Sequence, residues 1–373
     1  MKRGALLCAA LALLSAVYAF KAAPRMPDFE VYWRAGVRAA HAQPLYNPAD
    51  GHYQLKYLPA FAVLAVPIAW APLPVAKAIW FALSVVMLCA FVWASIALLP
   101  GRRMRLWVIA LCVGLAMAKF YGHELVLGQV NLLLGALITA AVHLVNRNRA
   151  VASGLLFALA IIVKPYAVIF LPWLAATRNI GALAVAAFST IGAIILPALV
   201  YGFDETWTLH VEWWHTVSAS TAPNLLNADN VSLAAMFAKW LGRGQAAQAL
   251  TVVAGGVLAL VAADVVRRRE NRPDSAGLEA ALLLTLIPLL SPQGWDYVFL
   301  LATPAIVFFV NYADRLPLAL RSATAVALAT AAFSLFDVMG RRAYGTFMAL
   351  SIITICFLVV IGALYALRVR RIA

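Results

Sequence analysis

Long apolar segments follow one another along this chain with only short polar stretches between them. No soluble core of this size absorbs so much apolar surface. A helix crosses the hydrocarbon core with about 20 apolar residues, and in lipid its backbone polar groups are satisfied within the helix itself. Segments of that character lie at about 4–22, 76–99, 106–120, 130–145, 150–163, 166–177, 180–200, 246–266, 278–290, 297–312, 318–336 and 345–367. Only 12% of the residues are charged and 65% are apolar, and no hydrophilic stretch is long enough for a separate soluble domain. The expected fold is an all-α polytopic integral membrane protein, with residues 1–373 forming one transmembrane domain.

The formal charge of +14 does not require a nucleic-acid partner. Its arginines sit in short clusters between apolar segments: Arg102-Arg103-Met104-Arg105, Arg147-Asn148-Arg149, Arg267-Arg268-Arg269 and Arg368-Val369-Arg370-Arg371. The positive-inside rule reads these as cytoplasmic loops, with anionic lipid headgroups as a secondary partner. Met1-Lys2-Arg3 and the apolar run after it have the charge and length of a signal sequence, with Val17-Tyr18-Ala19 as a weak cleavage site; we read them as an uncleaved first span. With Lys2 and Arg3 inside, the twelve segments place every strong arginine cluster on the cytoplasmic side. Residues 58–73 resist that count. They are short, and Pro59, Pro67, Pro72 and Pro74 interrupt them, so they are expected to be a half-span or re-entrant segment buried against protein. Cys8, Cys89, Cys112 and Cys356 lie in apolar segments without metal-like spacing and read as small buried residues.

The same topology gathers four polar stretches outside, at residues 23–57, 121–129, 201–243 and 291–296, with Lys164 at the outer end of a span. That asymmetry points to an extracytoplasmic site. In the first stretch Phe29, Trp33, Gly36, Val37 and Ala40 recur at helical spacing, with Glu30, Arg34, Arg38 and His41 on another face. This predicts an amphipathic helix along the membrane surface. Asp28 follows Pro27 at its start, where it either caps the helix or faces a cleft as a rigid carboxylate. Acids at a membrane are costly and usually functional. Glu30 and Arg34, four apart, are either site residues or a helix-face ion pair. His123, Glu124, Gln129 and Asn131 stand at a helix mouth, suited to sugar hydroxyls or phosphate and equally to the membrane interface. Lys164-Pro165 interrupts an apolar run, and its ammonium either snorkels or pairs with a phosphate. No metal is expected: His123 and Glu124 lack a third ligand at zinc spacing, His210 and His215 are five apart, and no HExxH motif occurs.

In order along the chain come Asp28-Phe29 with Tyr32 and Trp33, then Tyr46, Tyr57-Leu58-Pro59, Gly128-Gln129-Val130-Asn131, Lys164-Pro165, Asn230-Val231-Ser232 and Ser291-Pro292 with Trp295. That succession resembles the family 87 glycosyltransferases, membrane mannosyltransferases of the C-type superfold. It departs from the family at Leu58, where a proline is usual, and at Asp296-Tyr297, where members often carry histidine. The resemblance implies a C-type fold of about 12 transmembrane helices with an amphipathic helix in the first outer loop. It implies a polyprenyl-phosphate sugar donor, typically of mannose, used on the extracytoplasmic face of a plasma (inner) membrane. It maps the catalytic acid of the first outer loop onto Asp28. Glu30, Arg34, His123, Glu124, Gln129, Asn131, Lys164, Asn230, Ser232, Trp295 and Asp296 are the expected donor- or acceptor-binding residues.

A sugar on a lipid phosphate is already activated, so the enzyme deprotonates the acceptor hydroxyl and stabilises charge on the departing phosphate. One carboxylate base suffices for a single inverting displacement, whereas a retaining route needs a second as nucleophile. No cofactor is implied. The acceptor stays open between glycolipid, glycan and protein. The rival reading is a transporter or flippase of lipid-linked saccharides, which places polar residues near the bilayer midplane on interrupted helices; here they collect at one face. A structural membrane subunit would not carry these ordered motifs.

Overall fold

The computed structural model describes residues 13–269 and 275–372. Met1-Lys2-Arg3, Cys8, Asn271 and the beginning of the first expected span lie outside the described residues. Among the described residues every regular element is a helix, and the only extended pairing is one antiparallel bridge between Asn230 and Trp295.

Helix α1 (Leu13–Ala22) leads to α2 (Pro27–Ala40), followed by the broken pair α3 (Pro59–Leu64) and α4 (Val66–Ala69). Then come α5 (Leu73–Ala97), α6 (Leu106–Leu127), α7 (Asn131–Asn146), α8 (Ala150–Val163), α9 (Phe170–Ala176), α10 (Ile180–Ile195) and α11 (Ala198–Tyr201). The second half holds α12 (Phe203–Asn224), α13 (Leu233–Leu241), α14 (Gln245–Arg267), α15 (Ala276–Leu290), α16 (Thr303–Tyr312), α17 (Leu318–Phe333), α18 (Phe336–Ala349) and α19 (Ile352–Val369).

The apolar segments fall where the sequence predicts them, but fewer are long enough to cross. Among the described residues six helical stretches qualify by length and composition, or seven if α17 and α18, bent by 107° at Ser334-Leu335, count as one span. The lengths support fewer full crossings than the twelve expected segments: at 1.5 Å per residue, the 14-residue α8 reaches about 21 Å of a core of about 30 Å. Residues 58–73 form two short helices broken at Ala65, with Pro59, Ala60, Phe61 and Ala62 of α3 buried and no residue of α4 buried. The stretch 201–243, read as a loop, contains the 22-residue helix α12.

The buried stripe of α2 is Phe29, Tyr32, Ala35, Gly36 and Ala39, one position off the predicted stripe through Trp33 and Val37. Tyr32 goes inside because its hydroxyl finds partners there, whereas Trp33 stays at the margin and donates its Nε1–H to the Ala71 carbonyl at 2.9 Å. Gly36 lets the α3–α4 break approach: a Cβ there would run into the carbonyl oxygen of Ala65.

Three helices connect two chemically distinct ends of the bundle. At one end the Arg103 amide donates to Asn311 Oδ1 (2.9 Å) and its guanidinium pairs with Asp314 (2.8 Å). There too the buried Glu279 accepts from Trp173 Nε1 (2.7 Å) and faces Arg269 (3.6 Å) and Arg368 (3.4 Å). Helices α6 and α15 start at this arginine-rich end and α19 finishes there. Their other ends carry His123, Ser291 and Thr354, and Thr354 donates to the Val231 carbonyl at 2.8 Å.

Candidate active site

At that second end lies a cavity of about 500 Å³. The four polar stretches predicted to share a face all contribute to its wall. Asp28 and Tyr32 come from α2, Lys56 and Tyr57 from the loop after it, His123 and Gln129 from the end of α6. Lys164 comes from the break after α8, Trp213 and Asp229 from α12 and the segment beyond, Trp295 and Asp296 from the bridge region.

Asp28 is not a helix cap. Proline favours the first helical position because its fixed φ suits the turn and its missing N–H is not needed there. Pro27 takes that position, so the cap falls on Met26, whose backbone is left-handed (φ 54°) and whose side chain caps nothing. The carboxylate of Asp28, one residue further on, is left to the cavity. The Met26 amide pins this helix start to the end of α6 by donating to the Val126 carbonyl (3.0 Å), and Trp80 of α5, stacked on Phe29, donates its Nε1–H to the Gly128 carbonyl (2.9 Å).

Gln129 is the polar hub beside it. Its Oε1 accepts from the Tyr32 hydroxyl (2.9 Å) and the Tyr57 hydroxyl (3.3 Å), while Nε2 donates to the Tyr297 hydroxyl (3.3 Å) and faces Asp28. Burial pushes the Asp28 carboxyl above its ordinary range, because a carboxylate loses solvation there; Gln129, Lys164, Lys56 and His52 partly offset this. Lys56 is pushed down by the same desolvation, against the pull of Asp28.

Lys164 is extended (φ −148°, ψ 117°) at the break and buried. Its ammonium makes no hydrogen bond or ion pair among the described residues; it sits 5.9 Å over the Tyr57 ring, within the field of the Glu124 and Asp28 carboxylates. A buried cation without a counter-ion facing a cavity is suited to an anionic ligand. Glu124 is used structurally: it accepts from the Asn131 amide (2.5 Å), Asn131 Nδ2 (2.7 Å) and the Leu132 amide (3.1 Å), an anion on the first turn of α7. Glu124 and Asn131 therefore stand behind the wall.

On the far wall Asp296 is fully buried, with Lys119 Nζ 3.2 Å from one oxygen and His123 Nδ1 3.4 Å from the other. Asp229 lies beside them, accepting from the Tyr344 hydroxyl at 3.3 Å, and burial followed by the charge of Asp296 raises its carboxyl. The backbone zips these acids together: the Asp296 amide donates to the Asp229 carbonyl (3.0 Å) and the Val231 amide to the Gly294 carbonyl (2.7 Å). Asn230 fastens the zip by donating to the Asn224 (3.1 Å) and Pro292 (3.0 Å) carbonyls, and Ser232 caps α13. Asn230 and Ser232 thus hold the wall without lining it.

Glu30 and Arg34 are not brought to the cavity, nor do they pair with each other. Glu30 binds Lys77 (2.6 Å), and Arg34 joins Arg38 on Asp50 (3.2 and 2.5 Å). The residues that sequence reasoning did not single out are Lys56, Lys119 and Asp229, with Tyr32, Tyr57 and Tyr297 noted only within motifs. Lys119 carried a usable signal, a lone cation inside an apolar helix. Among the described residues no group of three His, Cys, Asp or Glu side chains is arranged to hold a metal.

The family model of glycosyltransferase family 87 matches residues 55–292, well over half of the chain. The chain belongs to glycosyltransferase family 87. It is a hexose-transferring enzyme, and its long apolar helices make it a multi-pass membrane protein. The matched segment contains Lys56, His123, Gln129, Lys164 and Asp229, beginning after Asp28 and ending before Trp295. Two mycobacterial relatives are each named polyprenol-phosphate-mannose-dependent alpha-(1-2)-phosphatidylinositol mannoside mannosyltransferase. The chain is 26% identical to that of Mycobacterium tuberculosis over 307 residues, 76% of this chain and 70% of the relative. It is 27% identical to that of Mycolicibacterium smegmatis over 324 residues, 78% and 71% of the two chains.

Proposed function

We propose that this family 87 enzyme transfers mannose from a polyprenyl-phosphate carrier to a glycolipid acceptor, with Asp28 as general base and Lys164 at the donor phosphate. The observation that carries this reading is the convergence of four distant polar stretches on one cavity that holds both a half-buried carboxylate and a buried ammonium with no hydrogen bond or ion pair among the described residues. The printed names of the two relatives support the donor, and the phosphatidylinositol mannoside in those names supports a glycolipid acceptor.

In this reading the acceptor hydroxyl gives its proton to Asp28 as its oxygen attacks the anomeric carbon, and the carrier phosphate departs with the bonding pair. A single displacement of this kind inverts the anomeric centre. Lys164 compensates phosphate charge, and Trp213 and Trp295 offer apolar faces to sugar rings. The arginine clusters collect at the bundle end opposite the cavity, which supports an extracytoplasmic site in a bacterial plasma membrane. Twelve apolar helical segments, several of them short, are compatible with a single C-type domain over residues 1–373.

The test is purified protein in lipid nanodiscs, offered radiolabelled polyprenyl-phosphate mannose or a nucleotide-linked mannose, with phosphatidylinositol mannoside as acceptor. Label should reach the glycolipid from the first donor only. Transfer from the nucleotide donor alone would overturn the reading.

A further inference from the structure

The proposed reaction leaves one charge unaccounted for. The donor is a phosphate diester with a single negative charge. When its bond to the sugar breaks, the bonding electrons stay on the phosphate oxygen and create a second charge. The second ionisation of a phosphate monoester lies near pH 6, so a proton donor titrating near neutrality suits that oxygen. Lys164, one ammonium, matches only the charge already present.

The far wall holds an imidazole in the required arrangement. His123 lines the cavity, its side chain 39% exposed, while its Nδ1 is turned to the buried Asp296 at 3.4 Å. The two ring nitrogens point in opposite directions, so an Nδ1 fixed on the wall leaves Nε2 facing the cavity. Asp296 is itself fixed by Lys119 on its other oxygen and by its backbone bond to Asp229. The charged and titratable groups facing this imidazole are Asp296, Asp229 and Lys119, with Tyr297 in ring contact at 5.3 Å between centroids. Tyr297 also separates the two walls: its ring meets His123 while its hydroxyl accepts from Gln129, beside Asp28. Base and imidazole thus stand on two sides of one aromatic residue, as an in-line displacement wants.

We propose that His123, oriented by Asp296, is the general acid that protonates the departing phosphate oxygen. This rests on the lipid-phosphate donor and Asp28 base proposed above. The balance closes. The acceptor oxygen bonds to the anomeric carbon and its proton goes to Asp28. The carbon–oxygen bond to phosphate breaks with its electrons on oxygen, and that oxygen takes the proton of the imidazolium. The products are the mannosylated acceptor and a monoprotonated lipid phosphate, with a protonated Asp28 and a neutral His123 to be reset by solvent. Asp296 is a positioning residue and touches no substrate.

The experiment uses the full-length enzyme in nanodiscs, with polyprenyl-phosphate mannose and phosphatidylinositol mannoside. His123→Gln should lower kcat about a hundredfold to ten-thousandfold, leave KM for the donor unchanged, and abolish the alkaline limb of kcat/KM while the acidic limb persists. Asp296→Asn should lower kcat by less, and the double variant should be no worse than His123→Gln alone, because both act through one group. In His123→Ala, added imidazole should restore transfer in proportion to its protonated fraction, a rescue that a packing role does not show. Retention of the alkaline limb in His123→Gln, or absence of imidazole rescue in His123→Ala, would overturn the assignment. Near-normal turnover in Asp28→Asn removes the base instead, and leaves the His123 result standing by itself.

Discussion

Asp28 is free for the proposed role because of what its neighbours leave undone. Proline takes the first helical position, the cap falls on Met26, and the carboxylate is left to the cavity, hydrogen-bonded to Gln129 and within the field of Lys164, Lys56 and His52. A general base acts when ionised. A carboxyl held above its ordinary range loses activity as pH falls through that raised value, so the acidic limb of kcat/KM should lie above the usual aspartate range. Removing a donor to the charged form raises such a group further. Gln129→Leu should therefore move the acidic limb to higher pH, measured on protein whose thermal unfolding is checked alongside; a limb that stays in place would remove Gln129 from the control of Asp28. Lys164→Met should lower kcat/KM for the lipid-phosphate donor about tenfold to a hundredfold, the worth of a charge-assisted contact of about 1.5–3 kcal/mol. Unchanged donor kinetics in a stable variant would return this lysine to the membrane interface. That Asp28, His123, Lys164 and Asp296 gather at one cavity was legible in the sequence, because a carboxylate, an imidazole or an ammonium at a helix mouth stands out in a chain that is 12% charged. The partners of Glu30 and Arg34 were not legible, because helical spacing shows only local partners, whereas their counter-ions, Lys77 and Asp50, arrive from other elements.

Among the elements, the junction of α2 with the end of α6 sets the distance between Asp28 and Gln129. Gly128 ends α6 with φ at 70°, and a Cβ there would stand 2.7 Å from the Cβ of Phe29 and 3.0 Å from the Met26 side chain. Gly128→Ala combines backbone strain with that clash, so it should cost about 1–3 kcal/mol and lower kcat by moving α2 off its seat. Thermal unfolding and turnover measured together check this; a stable, fully active variant would mean that the junction does not govern the site. The existence of the apolar helices was readable from their run lengths, since few other solutions satisfy a backbone in lipid. Which of them reach across was not, because breaks such as Lys164-Pro165 and Ser334-Leu335 depend on packing against neighbours. The one-position shift in the buried face of α2 has the same origin: Tyr32 goes inward for the hydroxyls and amide that await it, and none of those lies nearby in sequence.

For the molecule as a whole, the separation of an arginine-rich end from a cavity end is the feature from which topology follows. Single cysteines at Ala42 and Ala222, both exposed near the cavity end, should react with an impermeant thiol reagent in intact cells. One at Gly101, beside Arg102 and with open space for a side chain, should not. Labelling at position 101 with protection of 42 and 222 would reverse the orientation. The central claim is that a carboxylate at this cavity drives sugar transfer from a lipid phosphate. Its most direct test is transfer of radiolabelled mannose from polyprenyl phosphate by purified Asp28→Asn, whose amide keeps the shape of the carboxylate but cannot accept the proton. A fall of about a hundredfold to ten-thousandfold, with thermal unfolding and donor KM unchanged, is the predicted result, and turnover within a few-fold of the parent would contradict it.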